Sequence, residues 1–187
     1  MRDDAQLIDA TLSGDSAAYG QLVLKYQDRL YNTLLHVVGS PEDALDLVQD
    51  ALVQAFLKLD TFRGTSAFYT WLYRIAFNQA MSLKRRSRPT ASIEMTRELT
   101  GEEPADQAGE PEERVLQQER VEQVQAALAT LCDEHRAVLV LREIDGCCYE
   151  TIAEILDMPL GTVRSRLHRG RMQLREQLKQ VLQEEPG

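Results

Sequence analysis

Residues 62–88 read FRGTSAFYTWLYRIAFNQAMSLKRRSR and combine a turn, an aromatic helix and a basic end. The pair Arg63 and Gly64 predicts the turn, because glycine tolerates the backbone angles that tight turns need. Thr65 or Ser66 can then cap a helix, since a side-chain oxygen there accepts a hydrogen bond from a free backbone amide. Apolar side chains follow at the spacing of a buried helix face: Phe68, Leu72 and Ile75. The stretch therefore predicts an amphipathic helix that begins at about Ser66.

Aromatic rings and cations are concentrated in this same stretch. It holds six of the chain's eleven aromatic residues: Phe62, Phe68, Tyr69, Trp71, Tyr73 and Phe77. Its end is basic: Lys84, Arg85, Arg86 and Arg88. Unpaired bases stack on aromatic faces at roughly 1–3 kcal/mol per base, while cations bind the phosphates. Ordinary core packing remains the alternative for any single ring, but the surplus of rings beside a loop and a basic tail favours a surface for single-stranded nucleic acid.

The net charge is unevenly distributed along the chain. A total of −9 by itself argues against a nucleic-acid binder. However, residues 1–88 carry ten Lys/Arg and ten Asp/Glu, and residues 114–187 carry ten basic and twelve acidic residues. Residues 89–113 carry one Arg and eight acids, a net of −7. Most of the negative charge therefore lies in one short segment, whose prolines, glycines and acids are typical of a flexible linker.

Helical periodicity fills the chain on either side of this linker. Three helices are predicted before the aromatic stretch, over residues 4–13, 16–38 and 41–59. Ser40 and Pro41 mark the start of the third, as a capping side chain and a first-turn proline. No alternating strand pattern occurs, so the chain is predicted to be all-α. We expect two small helical domains and an acidic linker, over residues 1–88, 112–187 and 89–111 respectively.

A short helix, a tight turn and a long basic helix follow near the C-terminus, which is the pattern of a helix-turn-helix. The turn is predicted over residues 157–161, and the long helix runs from Thr162 to about Leu182. That helix contains six basic residues and one acidic residue, Glu176. The basic residues are Arg164, Arg166, Arg169, Arg171, Arg175 and Lys179. Polar and basic residues cluster on its first half, the half that enters the major groove in such motifs: Thr162, Arg164, Ser165, His168 and Arg169. A solvated basic face is the alternative, but a local excess of positive charge in an acidic chain argues against it.

Several classes of protein are disfavoured by what the sequence lacks. It has no apolar run near about 18 residues and no hydrophobic signal region, so we expect a cytoplasmic chain without membrane insertion. Cys132, Cys147 and Cys148 are odd in number and lack a metal-ligand spacing. We therefore predict no metal site, no cofactor and no disulfide framework. The histidines are scattered, with His36 expected to be packed or interfacial, and no catalytic constellation supports an enzyme.

Three segments resemble the signatures of the extracytoplasmic-function (ECF) sigma factors, the smallest group of the bacterial sigma-70 family. FRGTSAFYTWLYRIAFN (62–78) resembles the N-terminal signature of that group. DLVQDALVQAFLKLDTF (46–62) resembles its polymerase-binding helix. LREIDGCCYETIAEILDMPLGTVRSRLHRGRMQL (141–174) resembles its promoter-reading helix-turn-helix. The motifs occur in the order and spacing of the family, so the resemblance implies a sigma-2-like helical bundle followed by a sigma-4-like helix-turn-helix domain.

The resemblance also implies two sets of promoter contacts. The N-terminal domain would bind the unpaired non-template strand of the −10 element through Arg63, Gly64, Thr65, Ser66, Phe68, Tyr69, Trp71, Asn78, Lys84, Arg85 and Arg86. In this set the loop and Asn78 would hold a flipped base, the rings would shape the site of strand separation, and the cations would hold phosphates. The C-terminal domain would bind the −35 element as a duplex, with base contacts from Arg164, Ser165, His168 and Arg169. Its phosphate contacts would come from Arg142, Thr162 and Arg171.

The resemblance further implies protein partners. Core RNA polymerase would be bound through the third helix: Asp46, Gln49, Asp50, Gln54 and Phe56. The partners on the polymerase side would be the β′ clamp helices and the β flap. An anti-sigma factor that holds the chain inactive is also expected, and no cofactor is implied.

Two other functions stay open at this point. A helix-turn-helix regulator with an N-terminal ligand or dimer domain would bind duplex DNA by itself and would not associate with polymerase. An interaction protein that sequesters another regulator would need no basic recognition helix. The aromatic segment with its basic end argues against the first alternative, and the basic helix argues against the second.

Overall fold

The helices follow the predicted order, with a few shifted ends. The computed structural model describes residues 3–87 and 123–183, with side chains up to residues 85 and 180, so the predicted linker lies outside the described residues. The helices are α1 (Asp4–Leu12), α2 (Ser16–Val38), α3 (Pro41–Leu57), α4 (Phe68–Ser87), α5 (residues 123–129), α6 (Asp133–Leu139), α7 (Tyr149–Ile155) and α8 (Leu160–Gln183). A 3₁₀ turn (Leu59–Thr61) follows α3, and a π-helical turn (Val140–Ile144) follows α6. Neither described range contains a strand, which confirms the predicted all-α class.

Local side chains set the boundary between α2 and α3. Gly39 ends α2 in the left-handed conformation, with φ of +81°, and its amide donates to the Leu35 carbonyl at 2.8 Å. A glycine suits this position because a Cβ disfavours positive φ. The Ser40 hydroxyl then accepts from the Asp43 amide at 3.3 Å, and Pro41 occupies the first turn. The predicted helix start at these residues is therefore confirmed.

The predicted start of α4 is wrong by two residues. The helix begins at Phe68, so Ala67 rather than Thr65 or Ser66 precedes its first residue. The cause lies in packing just before the helix: the Phe62 ring contacts Phe68 and Trp71, with ring centroids 5.8 and 5.3 Å apart. This contact folds the chain back and leaves residues 63–67 as a loop, which includes a glycine at φ of +67°.

The N-terminal domain packs α1 to α4 around one apolar core. Its large, fully buried side chains come from α2, α4 and the 3₁₀ turn: Leu22, Leu30, Leu34, Leu59, Leu72, Tyr73 and Phe77. The Tyr19 hydroxyl donates to the Leu52 carbonyl at 2.5 Å and joins α2 to α3, and burial raises the pKa of Tyr19 to about 12. Each such apolar side chain contributes about 1.5–3 kcal/mol on burial. The core therefore fixes α4 and directs its opposite face outward.

Close packing positions the helix-turn-helix in the C-terminal domain. Its buried contacts come from α7 and α8: Ile152, Ile155, Val163 and Leu167. Gly170 lets α8 approach α6, because a Cβ there would lie 3.0 Å from Leu139 Cδ1. The turn between α7 and α8 contains Asp157 at a left-handed φ of +50°, a conformation that Asp adopts more readily than most residues. These contacts fix the angle at which α8 leaves the domain.

A buried arginine holds the start of the C-terminal domain together. The Arg136 guanidinium donates to the carbonyls of Leu128 at 2.8 Å, Ala129 at 2.6 Å and Leu131 at 2.9 Å. It also donates to the Val37 carbonyl at 3.1 Å, across the boundary between the domains. Burial lowers the pKa of Arg136, yet its four carbonyl partners offset the cost of placing a cation there.

Replacement of this arginine should be strongly destabilising. We expect Arg136→Leu to lower the free energy of unfolding by about 3 kcal/mol, because it leaves several buried carbonyls without donors. Urea denaturation followed by circular dichroism measures the effect. Arg175→Leu is the matched control, since Arg175 is exposed on α8. Equal midpoints for the two variants would contradict the structural role of Arg136.

Candidate nucleic-acid interface

The outward face of α4 carries a ring, cations and an amide in one row. Trp71, Arg74, Asn78 and Arg85 are spaced three, four and seven residues apart, which places them on one side of the helix. Arg74, Asn78 and Arg85 are exposed, and Trp71 is half-buried. We call these four residues the α4 stripe. Arg74 was not among the predicted site residues, although its helical spacing from Trp71 and Asn78 is visible in the sequence.

The rings near the start of α4 form one cluster. Trp71 contacts Phe62 and Phe68, with the Phe68 centroid 5.8 Å away. Phe68 is only 3% exposed and also contacts the Tyr26 ring at 5.7 Å. The predicted contact of Phe68 with DNA therefore needs correction in this structure. The Phe68 ring points towards α2 and belongs to the core. It packs against Trp71 from the core side.

Tyr69 is engaged by the C-terminal domain. Its hydroxyl donates to the Asp145 carboxylate and lies 2.7 Å from Cys147 Sγ. The Arg29 guanidinium lies over the Tyr69 ring, 4.5 Å from its centroid. Burial, together with the bonds to Asp145 and Cys147, raises the pKa of Tyr69, so the phenol stays protonated. Burial also raises the pKa of the Cys147 thiol to about 11.

A cleft of about 640 Å³ lies between the loop before α4 and the helix-turn-helix. The N-terminal domain lines it with Thr65, Ser66, Thr70, Trp71 and Arg74. The C-terminal domain lines it with Ala153, Glu154, Asp157, Met158 and Pro159. The structure thus brings the predicted residues Thr65, Ser66 and Trp71 together. Arg63 and Gly64 are exposed on the same loop, and Asn78 lies two helical turns further along α4, outside this lining.

The basic end of α4 is only partly described. Lys84 forms an ion pair with Asp133 at 3.3 Å, and Arg85 donates to the Ser82 hydroxyl at 3.1 Å. The side chain of Arg86 lies outside the described residues. The Lys84 pair links α4 to the start of α6, so this cation faces the C-terminal domain.

The first half of α8 presents an open polar surface. Arg164, Ser165, His168 and Arg169 are exposed, and Thr162 is half-buried. The Ser165 hydroxyl donates to the Thr162 carbonyl at 3.0 Å. The opposite face of α8 is buried against α6 and α7. The four exposed residues predicted for base contacts therefore lie together and are accessible to a partner.

Two of the cations predicted for phosphate contacts have partners within the C-terminal domain. Arg142 donates to the Cys147 carbonyl at 2.9 Å, and its guanidinium lies 5.2 Å from the centroid of the Tyr149 ring. Arg171 forms an ion pair with Glu143 at 2.6 Å. Arg142 thus stabilises the turn that leads into α7. A phosphate contact by Arg171 would have to compete with Glu143.

The outward face of α3 combines acids with exposed apolar side chains. Asp46, Gln49 and Asp50 are exposed, and Gln54 is half-buried. Phe56 is 45% exposed and contacts the Tyr19 ring at 5.0 Å. Val53 and Leu57 lie on the same face and are exposed, although the sequence pattern did not single them out. An exposed apolar patch rimmed by polar groups is typical of a protein-docking surface.

The described residues offer little that would hold a metal ion or cross a membrane. No group of three or more His, Cys, Asp or Glu in residues 3–87 and 123–183 is arranged for metal binding. Cys132, Cys147 and Cys148 are all free thiols. Within the same ranges, no helix has both the length and the apolar composition that a transmembrane span needs.

Comparison with known proteins connects these surfaces to one family. The family described as Sigma-70 region 2 matches residues 22–90, and the family described as Sigma-70, region 4 matches residues 121–174. The RNA polymerase sigma-H factor of Pseudomonas aeruginosa is 37% identical over 97% of this chain and 96% of its own length. The ECF RNA polymerase sigma-E factor of Escherichia coli K12 is 38% identical over 90% of each chain.

Solved structures agree with this assignment. CnrH, solved in complex with the cytosolic domain of CnrY, matches with a TM-score of 0.69 and 27% identity, over 94% of this chain and 97% of that one. The sigma factor RpoE of Bartonella quintana, solved in complex with the anti-sigma factor NepR, matches with a TM-score of 0.68 and 28% identity, over 86% of this chain and 96% of that one. The chain therefore belongs to the sigma-70 family of transcription initiation factors, in its ECF group.

Proposed function

We propose that this sigma factor binds core RNA polymerase and directs it to promoters by binding DNA in two physical states. The α8 surface would bind the −35 element as a duplex, and the α4 surface would bind the −10 element as an unpaired strand. The observation that carries this proposal is the presence of two different surfaces in one chain. One is a basic, polar helix face suited to a groove, and the other is a row of a ring, cations and an amide suited to splayed bases.

The −35 half of the proposal rests on the accessibility of α8. Arg164, Ser165, His168 and Arg169 project from the first half of a helix whose other face is buried. Arginine pairing with guanine is the commonest specific contact in the major groove, worth about 1–3 kcal/mol of discrimination. Phosphate contacts by Thr162, Arg142 and Arg171 would then fix the register of the helix on the duplex.

The −10 half rests on the α4 stripe and the loop before it. Trp71 offers a ring face, Asn78 an amide that can pair with a base edge, and Arg74 and Arg85 offer cations for the backbone. Thr65 and Ser66 line a cleft with enough volume for a base. Extruding a base costs a few kcal/mol of stacking and pairing, which such contacts would offset.

The polymerase would be bound by the outward face of α3, with Asp46, Gln49, Asp50, Gln54 and Phe56 as the contacts. The exposed side chains of Val53 and Leu57 support this proposal, because they extend the apolar part of that face. We assign the docking partners as the β′ clamp helices and the β flap. In this role the chain would act in the cytoplasm, as a subunit of the polymerase rather than as an enzyme.

An anti-sigma factor is a further proposed partner. The matching structure of Bartonella quintana RpoE was solved with the anti-sigma factor NepR, and CnrH was solved with the cytosolic domain of CnrY. Both matches extend over most of this chain. We also propose the division of labour by residues 1–88, 89–111 and 112–187, in which the acidic segment spaces the two DNA-binding domains.

Co-elution tests this function directly. The full chain is mixed with core polymerase from the source organism and passed over a sizing column, and the complex is then footprinted on genomic promoter fragments. We expect a stoichiometric complex that protects two short regions upstream of the start site. Tight duplex binding by the chain alone, without co-elution, would favour an ordinary helix-turn-helix regulator instead.

A substitution in α8 tests the −35 assignment. We expect Arg169→Ala to weaken binding of the holoenzyme to its −35 element by about tenfold, since one base contact is worth about 1–3 kcal/mol. Arg175→Ala removes the same charge from an exposed site further along α8 and serves as the control. Footprinting titrations measure both variants. Equal losses of affinity in the two variants would mean that α8 attracts DNA through its positive charge alone and makes no base contact through Arg169.

A further inference from the structure

Among the residues that the structure describes, the ion pairs between the two domains share one polarity. Arg29 pairs with Asp145 at 2.8 Å, Arg74 with Asp157 at 3.6 Å, and Lys84 with Asp133 at 3.3 Å. In each of these pairs the N-terminal domain supplies the cation and the C-terminal domain supplies the carboxylate. Two of these cations, Arg74 and Lys84, lie on α4, the helix whose cations we assign to the phosphates of the −10 strand, and Arg29 lies on the neighbouring α2.

Asp145 is the most enclosed of these carboxylates, with a side chain that is 3% exposed. Its oxygens accept from Arg29 Nε and from the Tyr69 hydroxyl, with the Thr33 hydroxyl at 3.4 Å. The Cys147 thiol also donates to it, at 3.3 Å. In addition, the Asp145 backbone carbonyl accepts from Arg29 at 2.9 Å. One acidic residue of the C-terminal domain therefore accepts hydrogen bonds from three residues of the N-terminal domain: Arg29 and Thr33 on α2, and Tyr69 on α4.

Backbone geometry holds Asp145 in this position. The residue ends the π-helical turn, and its amide donates to the Val140 carbonyl. Gly146 follows at a left-handed φ of +74°, which turns the chain so that the Cys147 amide donates to the Leu141 carbonyl at 2.9 Å. The carboxylate is thus presented from a constrained loop, and little conformational entropy opposes its contact with α2 and α4.

The closed arrangement covers part of one DNA surface, at the loop before α4 and the first turns of that helix, and leaves the other open. Tyr69 is bound by Asp145, Arg74 by Asp157, and the loop before α4 faces the turn of the helix-turn-helix across the cleft. In contrast, the base-contact residues on α8 remain exposed: Arg164, Ser165, His168 and Arg169. The two proposed DNA surfaces are therefore not equally accessible in the free chain.

We propose that the Asp145 cluster, formed with Arg29, Thr33 and Tyr69, is an autoinhibitory latch that holds the two domains of the free sigma factor closed. In the closed state the C-terminal domain occupies the loop before α4 and the first turns of that helix, where the −10 strand would enter, while Asn78, Arg85 and the base-contact face of α8 stay exposed. Binding of the −10 strand then requires the domains to separate. The latch itself rests on the contacts above, whereas the competition with DNA rests on the proposed function.

The buried carboxylate of Asp145 dominates the latch, although its partner Arg29 is half-exposed. The Arg74–Asp157 pair is well exposed on both sides and contributes little, because water screens surface ion pairs. Asp145 is enclosed, so its replacement by Asn removes the charge opposite Arg29 and places an NH₂ group against one of the donors that now contact the carboxylate. Asp145→Asn should therefore open the domains, although it is nearly isosteric.

One native cysteine, Cys147, can report separation of the two domains. In a Cys132→Ser and Cys148→Ser background, Cys147 is the remaining thiol, and it is buried at the latch. We expect Asp145→Asn to raise its rate of reaction with DTNB by about tenfold or more, as local opening becomes easier, and to raise the radius of gyration in solution scattering. Glu143→Gln removes the same charge two residues earlier and weakens the ion pair with Arg171, which lies within the C-terminal domain, so both values should stay at those of the parent chain.

A second variant removes the partner of Asp145 from the other domain. Arg29→Gln leaves the loop that carries Asp145 unchanged and should reproduce both changes, with circular dichroism verifying that each variant is folded. If Asp145→Asn and Arg29→Gln match Glu143→Gln in thiol rate and radius of gyration, the latch is overturned.

A DNA-binding measurement on the same variants tests the latch and the proposed function independently. The probe is a fluorescent pool of random-sequence single-stranded oligonucleotides, with a random duplex pool in parallel. We expect the opened variants to bind the single strands about tenfold more tightly than the parent chain, with duplex binding unchanged. Opening without any gain for single strands would overturn the competition with DNA and the −10 assignment of α4, while the latch would stand.

Discussion

Asp50→Arg is expected to abolish co-purification of the chain with core RNA polymerase. Asp50 is exposed at the centre of the α3 face, between Asp46 and Val53. Reversal of one charge in a docked interface leaves a repulsive or unpaired charge, which costs about 2–5 kcal/mol, or more than 30-fold in affinity. Affinity-tagged core polymerase and a quantitative pull-down measure the loss.

The control for this variant is an equal charge reversal elsewhere. Asp9→Arg lies on α1 at another exposed position and should leave polymerase binding unchanged. Thermal unfolding verifies that both variants are folded. Retention of Asp50→Arg at the level of Asp9→Arg would mean that the docking face is on another helix.

Asn78→Ala is expected to lower the yield of open promoter complexes by about fivefold or more, while polymerase binding is retained. Asn78 is exposed on the α4 stripe, where its amide is available to a base edge. Loss of hydrogen bonds to one extruded base removes about 1–3 kcal/mol from the state in which the strands are separated. Permanganate reactivity of unpaired thymines measures the open complex.

A matched control uses the same residue type on another helix. Asn32→Ala, at an exposed position of α2, should leave the open-complex yield unchanged. If Asn78→Ala gave the same yield as Asn32→Ala, then α4 would not contribute this contact to strand capture.

The sequence predicted the helices well because their signals are local. Ser40 with Pro41, and Gly39 before them, set the boundary between α2 and α3 through contacts within a few residues. The basic composition of α8 likewise predicted its exposed face. The start of α4 was missed because the contact of the Phe62 ring with Trp71 overrides the capping preference of Thr65 and Ser66.

The candidate site was predicted less completely than the fold. Helical spacing alone could have added Arg74 to the α4 stripe, and Val53 and Leu57 to the α3 face. The role of Asp145 could not be predicted, because its partner Arg29 is 116 residues away in the chain. Arg136 was also missed, since its acceptors are backbone carbonyls that carry no sequence signal. Phe68 was assigned to DNA through the family resemblance, although its spacing with Leu72 and Ile75 had indicated a buried face, which its 3% exposure bears out.

Run-off transcription with purified components tests the central claim most directly. Core polymerase is supplied with a library of genomic fragments, with and without this chain, and the 5′ ends of the transcripts are mapped. We predict new transcripts that start at a fixed distance from two shared upstream motifs and that depend on the added chain. The same set of transcripts with and without the chain would contradict its role in promoter selection.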